Sequence, residues 1–448
     1  MDWRKLLNSS RLGGSGAQAA TTRTEFDRDA DRVIFSGPFR RLSRKTQVHP
    51  FATNDHVHTR LTHSVEAGQV GKALGKAVYP RIAGDLPSHI TAADIGSIVQ
   101  AACLAHDVGN PPFGHAGEEA LMHCFDTNRE FFRHLPESQR HDLSFFDGNA
   151  QGFRILSQTE NHIFTGGLRL TYATLASFLK YPRVSAPGIK KFSVFLSEKD
   201  ILDEVADAVG LPASDAGYLR HPLAYLVEAA DDICYCVLDL EDAVELKILP
   251  FTAVQELLLK PFDASVRAAV VSTFETPEMF RVNLARMRGP VFDMLVSAAV
   301  EAFMTAYQDI IAGDEVKDLF SHLSEDDARA NLITEAKDIG HRIIYTDTKK
   351  VEIEVGSFAT LDTLLGKMLP AAKASASHIG TTGSLDWKSR SLMGLLGDHA
   401  PAVNNAPLSS GWNEYLIYRR VIDFVSGMTD NYATYIAKQL NGMAFSGV

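Results

Sequence analysis

The stretch Cys103-Leu104-Ala105-His106-Asp107-Val108-Gly109-Asn110-Pro111-Pro112-Phe113-Gly114-His115 decides the reading of this chain. An apolar helix runs into a His-Asp pair and then meets two prolines that cannot continue its hydrogen-bond ladder. Adjacent side chains on a helix point about 100° apart, so both reach one ion only if it sits over the helix edge. A nitrogen donor beside a hard oxygen donor suits a divalent first-row ion with open positions for water and phosphate. Burying Asp107 in so apolar a helix without a metal or a cation would be strongly unfavourable.

Working outward, two segments offer the remaining ligands. Upstream, His63 lies in His58-Thr59-Arg60-Leu61-Thr62-His63-Ser64, on a helix over 60–79 with Val65, Val70, Ala73 and Leu74 facing inward. Downstream, Glu228-Ala229-Ala230-Asp231-Asp232 puts carboxylates on a helix over 222–246. Asp231, Tyr235 and Asp239 are spaced i, i+4, i+8 and share a face. Asp232 is rotated by about 100° and reads as salt-bridged or solvent-facing. Eight of the 16 histidines fall between His49 and His123, which favours a site on that segment over scattered surface residues.

A lone His, then a His-Asp pair, then a distant Asp: that order resembles the HD superfamily of metal-dependent phosphohydrolases. Longer stretches are similar to the dNTP triphosphohydrolases, the dGTPase-like family. They are Cys103 to Glu118, Asp147-Gly148-Asn149-Ala150-Gln151-Gly152-Phe153-Arg154, Glu228 to Tyr235, and Phe35-Ser36 to Gln47. Together they cover most of residues 24–246; the C-terminal third matches chiefly in His341-Arg342-Ile343-Ile344-Tyr345.

The resemblance implies hydrolysis of a deoxynucleoside triphosphate to deoxynucleoside and intact triphosphate, with base preference left open. It implies a divalent metal ion (Mn²⁺, Mg²⁺ or a similar first-row ion) on His63, His106, Asp107 and Asp231. His115, oriented by Glu118, would be the acid–base pair; the rival reading makes His115 a helix cap after Gly114. Arg60 would clamp phosphate, since a planar guanidinium grips it bidentately. Gln47, Tyr235, Asp239 and Tyr345 match family positions around sugar and base. The family also implies a homo-oligomer, and a regulatory nucleotide or single-stranded DNA as possible partners. Two alternatives remain at this stage: another HD phosphohydrolase (a nucleotide 5′-phosphatase or guanosine tetraphosphate hydrolase), or a nucleotide-sensing or nucleic-acid-binding regulator.

Composition sets the outer bounds. The chain has 448 residues, 45% hydrophobic and 22% charged, as in an ordinary globular protein. No apolar run approaches the ~20 residues of a membrane helix, and Met1-Asp2-Trp3-Arg4-Lys5 lacks the apolar core of a secretion signal. Four cysteines make no disulfide framework, and Cys234 and Cys236 read as buried thiols. A cytoplasmic, non-membrane protein is expected. The net charge of −11 argues against general phosphate-backbone binding. One basic cluster, Arg40, Arg41, Arg44 and Lys45, is either a solvated helix face or a contact to nucleotide phosphate or a neighbouring subunit.

The expected fold is all-α: an HD-domain helical core with additional C-terminal helices and room for a small β-hairpin. Three segments are expected: an arm and helix over 1–52, the phosphohydrolase core over 53–248, and a C-terminal helical region over 249–448 that packs on it. Residues 8–22 read as a mobile loop. From Thr24, Phe26, Val33, Ile34, Phe39 and Leu42 are inward positions. Thr91 with Asp94 caps a helix running to Val108. Asp147-Gly148-Asn149 precedes a helix through Ile155, Thr159 and His162, and 181–199 is a loop or insertion. Lys349 to Val355 alternates with period two and reads as a strand.

Overall fold

The computed structural model describes residues 1–14, 23–51, 54–161, 165–314, 316–378, 384–397 and 413–443. The chain is all-α. Its helices begin where polar caps satisfy N–H groups that lack a partner in the first turn. Asp2 caps α1 (Trp3–Leu6), Thr24 and Asp27 form a capping box on α2 (Glu25–Ile34), and Ser36 caps α3 (Gly37–Arg41). Thr59 with Thr62 boxes α4 (Arg60–Ile82), and Thr91 with Asp94 boxes α5 (Ala92–Ala105). Helices α6 (Gly114–Thr127), α7 (Glu137–Ser144) and α8 (Gly148–Arg154) follow the double proline, then α9 (Tyr172–Phe178) and α10 (Lys199–Val209).

The long α11 (Pro222–Glu245) carries Asp231. After it come α12 (Phe251–Leu259), α13 (Ala264–Val271), α14 (Phe280–Ala312) and α15 (Ala328–Ile339). The chain ends in α16 (Thr348–Ser377), α17 (Trp387–Gly394), α18 (Glu414–Ser426) and α19 (Asp430–Leu440). Among the described residues the one sheet is a hairpin of β1 (Ala213–Ser214) and β2 (Gly217–Tyr218).

Several local expectations need correction. Residues 349–355 are the start of α16, not a strand: Val351 and Val355 both face solvent, and Lys350 pairs with Glu354 one helical turn on. With no neighbouring strand to bond to, the alternation follows the helix instead. On α4, Val65 and Ala73 are exposed, and the buried face is Ala67, Gly68, Gly71, Leu74, Gly75 and Val78. Small residues make that face because α5 lies unusually close. A Cβ on Gly75 would come 2.9 Å from the Gly96 Cα, and one on Gly71 2.5 Å from Cys103 Sγ. Ile34, at the last turn of α2, is likewise exposed. Residues 15–22 of the expected loop and His162 lie outside the described residues.

Residues 277–312 form one helical stretch long and apolar enough to cross a membrane by length and composition. Counting only uninterrupted apolar runs passes over it, because Arg281, Arg286, Arg288 and Asp293 break the pattern. Its Leu284, Met287, Val291, Leu295, Ala299 and Phe303 are buried against the protein's own core.

The buried apolar residues gather in two cores. One unites α1–α5 with α9–α15; the other unites α6, α7 and α16–α19. The loop after α5 passes from the first core at Val108 to the second at Phe113. It is this crossing that carries the His-Asp pair.

Candidate active site

Three side chains, from α4, the turn after α5 and α11, meet at the end of α5. His63, in the first turns of α4, places Nε2 3.0 Å from Asp231 Oδ1 on α11. His106, directly after α5, places Nε2 3.5 Å from the same oxygen. The His63, His106 and Asp231 donor atoms all lie within 4.8 Å of one another. His106 Nδ1 donates to the Cys103 carbonyl at 2.6 Å, which turns Nε2 toward the cluster. Burial pushes the Asp231 carboxyl up, but the neighbouring His106 and His63 outweigh it and hold the group below the usual carboxylate range.

Asp107 stands beside this group of three but outside it. Its Oδ2 is 3.5 Å from His106 Nε2 and is buried with no hydrogen-bond partner. Its Oδ1 takes a 2.7 Å ion pair from Arg60 Nη1 and a second bond from the Asn110 amide. A buried carboxylate oxygen left bare 3.5 Å from the His106 imidazole nitrogen fits a divalent cation, since uncompensated burial of such an atom is costly. The donor set of two nitrogens and two carboxylates fits the same ion. Asp232 points away and pairs with Lys337 Nζ at 2.8 Å, while Glu228 pairs with Lys180 and Arg220.

Arg60 thus faces Asp107, with its Nε buried and unpartnered. Gly114, at φ +59°, lets the guanidinium approach: a Cβ there would lie 2.9 Å from Arg60 Nη2. The next residue is His115, almost fully exposed, with Nδ1 3.0 Å from Glu118 Oε2. Glu118 Oε1 accepts the Gly148 N–H at 2.8 Å, so the pair is anchored to the Asp147-Gly148-Asn149 turn.

On α11, Tyr235 lies against His63 with ring centroids 5.3 Å apart. One turn further, Asp239 Oδ2 accepts the Tyr345 hydroxyl at 2.7 Å. Burial raises the Asp239 carboxyl to about 7; the Tyr345 hydroxyl opposes the rise and the nearby Asp242 adds to it. Gln47 is brought beside Arg60 because the Arg60 N–H donates to the Lys45 carbonyl at 3.1 Å. Both polar atoms of its buried amide lack a partner. Within the basic cluster, Arg40, Arg41 and Arg44 are exposed whereas Lys45 is buried. Lys45 Nζ donates to the carbonyls of Asn110 and Ser426, and burial lowers its ammonium to about 7.

Sequence reasoning missed Asp430. From the first turn of α19, its Oδ2 accepts from the Thr46 N–H and hydroxyl at 3.0 and 2.7 Å, and its Oδ1 from the Phe113 N–H at 2.9 Å. No local pattern marks this residue; an acidic first turn is ordinary in a helix. Asn110 stood in the quoted loop, and its spacing of three from Asp107 was the signal for its bond to that carboxylate.

No family model matches the chain. Curated relatives do. A deoxyguanosinetriphosphate triphosphohydrolase-like protein of Pseudomonas aeruginosa is 42% identical over 99% of both chains. A protein of the same name from Synechocystis is 37% identical over 99% of this chain and all of its own. The deoxyguanosinetriphosphate triphosphohydrolase of Klebsiella pneumoniae is 29% identical over 97% of each. Full-length similarity of this degree means that the chain belongs to the deoxyguanosinetriphosphate triphosphohydrolase-like family.

Proposed function

We propose that this protein hydrolyses deoxynucleoside triphosphates in a metal-dependent reaction, releasing the deoxynucleoside and inorganic triphosphate. The observation that carries the reading is the convergence of His63, His106 and Asp231 beside the bare Oδ2 of Asp107, next to an arginine with donors to spare. The names of the relatives supply the substrate class, with dGTP the first to try.

His63, His106, Asp107 and Asp231 would hold the ion. When bound, it supplies positive charge to the α-phosphate and a water that ionises near neutral pH. The chain's own residues do the rest. Arg60, fixed by Asp107, directs its remaining N–H groups at phosphate oxygens. Water attacks the α-phosphorus, and the bond from phosphorus to the 5′-oxygen breaks. The His115 imidazolium gives its proton to that leaving oxygen, while Glu118 holds the ring through Nδ1. Tyr235, Asp239, Tyr345 and Gln47 surround the sugar and base.

The test is the fate of the water oxygen. Purified protein with Mn²⁺ and each dNTP in ¹⁸O-water should put label into triphosphate and leave the deoxynucleoside unlabelled. Monophosphate plus pyrophosphate would overturn the reading.

A further inference from the structure

Tyr345 is presented by a turn of unusual form. After α15 the chain widens into a π turn, Gly340–Ile344, and the Tyr345 N–H donates to the Gly340 carbonyl at 2.9 Å. Such turns are rare and recur at functional sites. Contacts on either side of this one pin the segment to α11: Lys337 pairs with Asp232 at 2.8 Å, and the Tyr345 hydroxyl donates to Asp239 at 2.7 Å. The Tyr345 ring is walled in as well. His341 stands edge-on to it with centroids 5.5 Å apart, and Lys350 Nζ lies 5.6 Å from its centroid.

Gly340 forms the wall nearest the hydroxyl. A Cβ on this residue would lie 3.2 Å from Tyr345 Cζ and 3.3 Å from both Cε2 and the hydroxyl oxygen. Carbon atoms ordinarily pack at ~3.5–4.0 Å. Nothing in the backbone asks for glycine, since φ −50° and ψ −56° are helical values that any residue adopts. In a helix, glycine is less stable than alanine. The missing side chain therefore serves the close approach of the Tyr345 ring. That ring has little room to give way: Asp239 tethers its hydroxyl and the Gly340 carbonyl its main chain. An added methyl group must displace the ring itself.

We propose that Gly340 is a positioning residue for sugar selection. Its bare backbone sets where the Tyr345 ring stands, and thereby how firmly the ring excludes a 2′-hydroxyl. This rests on the proposed function, in which Tyr345 borders the sugar.

The test compares kcat/KM for dGTP and GTP, with Mn²⁺, in the full-length wild type, Gly340→Ala, Tyr345→Ala and the double variant. Gly340→Ala suits the local backbone and helix propensity, so it should fold, which circular dichroism checks. Its ratio of dGTP over GTP should fall about threefold or more, because small misplacements of a positioning group cost severalfold in rate. Adding Gly340→Ala to Tyr345→Ala should change the ratio no further, since the ring it displaces is gone. That coupling separates placement of the ring from a general loosening of the fold. An unchanged ratio in Gly340→Ala, where Tyr345→Ala lowers it, overturns the proposal and leaves the role of Tyr345 intact. So does an equal fall from Gly340→Ala in both backgrounds. A wild-type ratio near one, or one indifferent to Tyr345→Ala, removes the sugar role of Tyr345 and this proposal with it.

Discussion

Asp430 Oδ1 accepts the backbone N–H of Phe113 at 2.9 Å, joining residues 317 positions apart. Phe113 sits at φ +66°, a left-handed conformation that a bulky residue adopts only under constraint. It also caps α6, whose first residues are Gly114 and His115. The other oxygen of Asp430 holds Thr46, the neighbour of Gln47. The last helix therefore fixes two sides of the candidate site at once. Asp430→Ala should cost on the order of 3 kcal/mol of stability, from three bonds to one charged group. Turnover should fall at least tenfold in protein that is still folded, and Asp430→Asn should recover part of both. Denaturant titration and steady-state kinetics check this; a stability loss with kcat untouched would confine Asp430 to a structural role.

The two neighbouring aspartates of α11 should separate cleanly. Asp231 faces His63 and His106, whereas Asp232 pairs with Lys337. Metal analysis after dialysis should show an ion retained by Asp232→Ala and lost from Asp231→Ala. Added Mn²⁺ should raise the Tm of the wild type and of Asp232→Ala, and leave that of Asp231→Ala where it was. The reverse pattern would mean that the wrong face of α11 has been assigned to the metal.

These cases show what could be read from the chain. α5 and α11 were legible because apolar periodicity and capping residues are local signals, although α5 stops at Ala105 rather than Val108. Asp231 was set apart from Asp232 by the HD pattern, which puts the ligand after Ala230, with helix geometry in support. Gly68, Gly71 and Gly75 were not legible as a packing face, because a pattern of large apolar residues does not register contacts made by glycine. Neither was the Asp430 bond to Phe113, nor the Tyr345 bond to Asp239, since each joins residues more than a hundred positions apart. The alternation at 349–355 misled because period two specifies a strand only where a partner strand and a buried face exist.

His58 gives the fold a defined response to alkali. Its Nδ1 donates to Asp242 Oδ1 at 2.7 Å, and its Nε2 lies 3.3 Å from Glu66 Oε2, just ahead of the helix that carries His63. Burial lowers the imidazolium, but bonds to Asp242 and Glu66 outweigh it and raise the group to about 10. A pKa raised on folding stabilises the protein fully below the unfolded value, about 6.5. That stability is lost as the pH climbs toward 10. Denaturant titrations of wild type and His58→Gln should differ by a few kcal/mol at pH 6, with the gap closing toward pH 10. A gap that stays constant across this window would remove the charge from the explanation.

His115 can be tested with little risk to the fold, since its side chain is almost entirely in solvent. His115→Asn should keep the metal and the Tm while lowering kcat by roughly 10²–10⁴, the usual worth of general acid–base help. Glu118→Gln should lower kcat less, because it loses the charge beside Nδ1 and keeps an acceptor for Gly148. If His115→Asn turned over at the wild-type rate, the proton to the 5′-oxygen would have to come from another group.

Discrimination against ribose should depend on Tyr345. Its hydroxyl is held at 2.7 Å by Asp239, two turns along α11 from Asp231, and the proposed function puts its ring against the sugar. An aromatic ring where a 2′-hydroxyl would project excludes it by overlap and strands a polar group without a partner. The ratio of kcat/KM for dGTP over GTP should be well above one in the wild type and fall about tenfold or more in Tyr345→Ala. Tyr345→Phe keeps the ring and loses only the bond to Asp239, so it should retain most of the ratio. The comparison separates steric exclusion by the ring from orientation by the hydroxyl. A wild-type ratio near one, or a ratio indifferent to Tyr345→Ala, would leave Tyr345 a packing residue that buries Asp239 and nothing more.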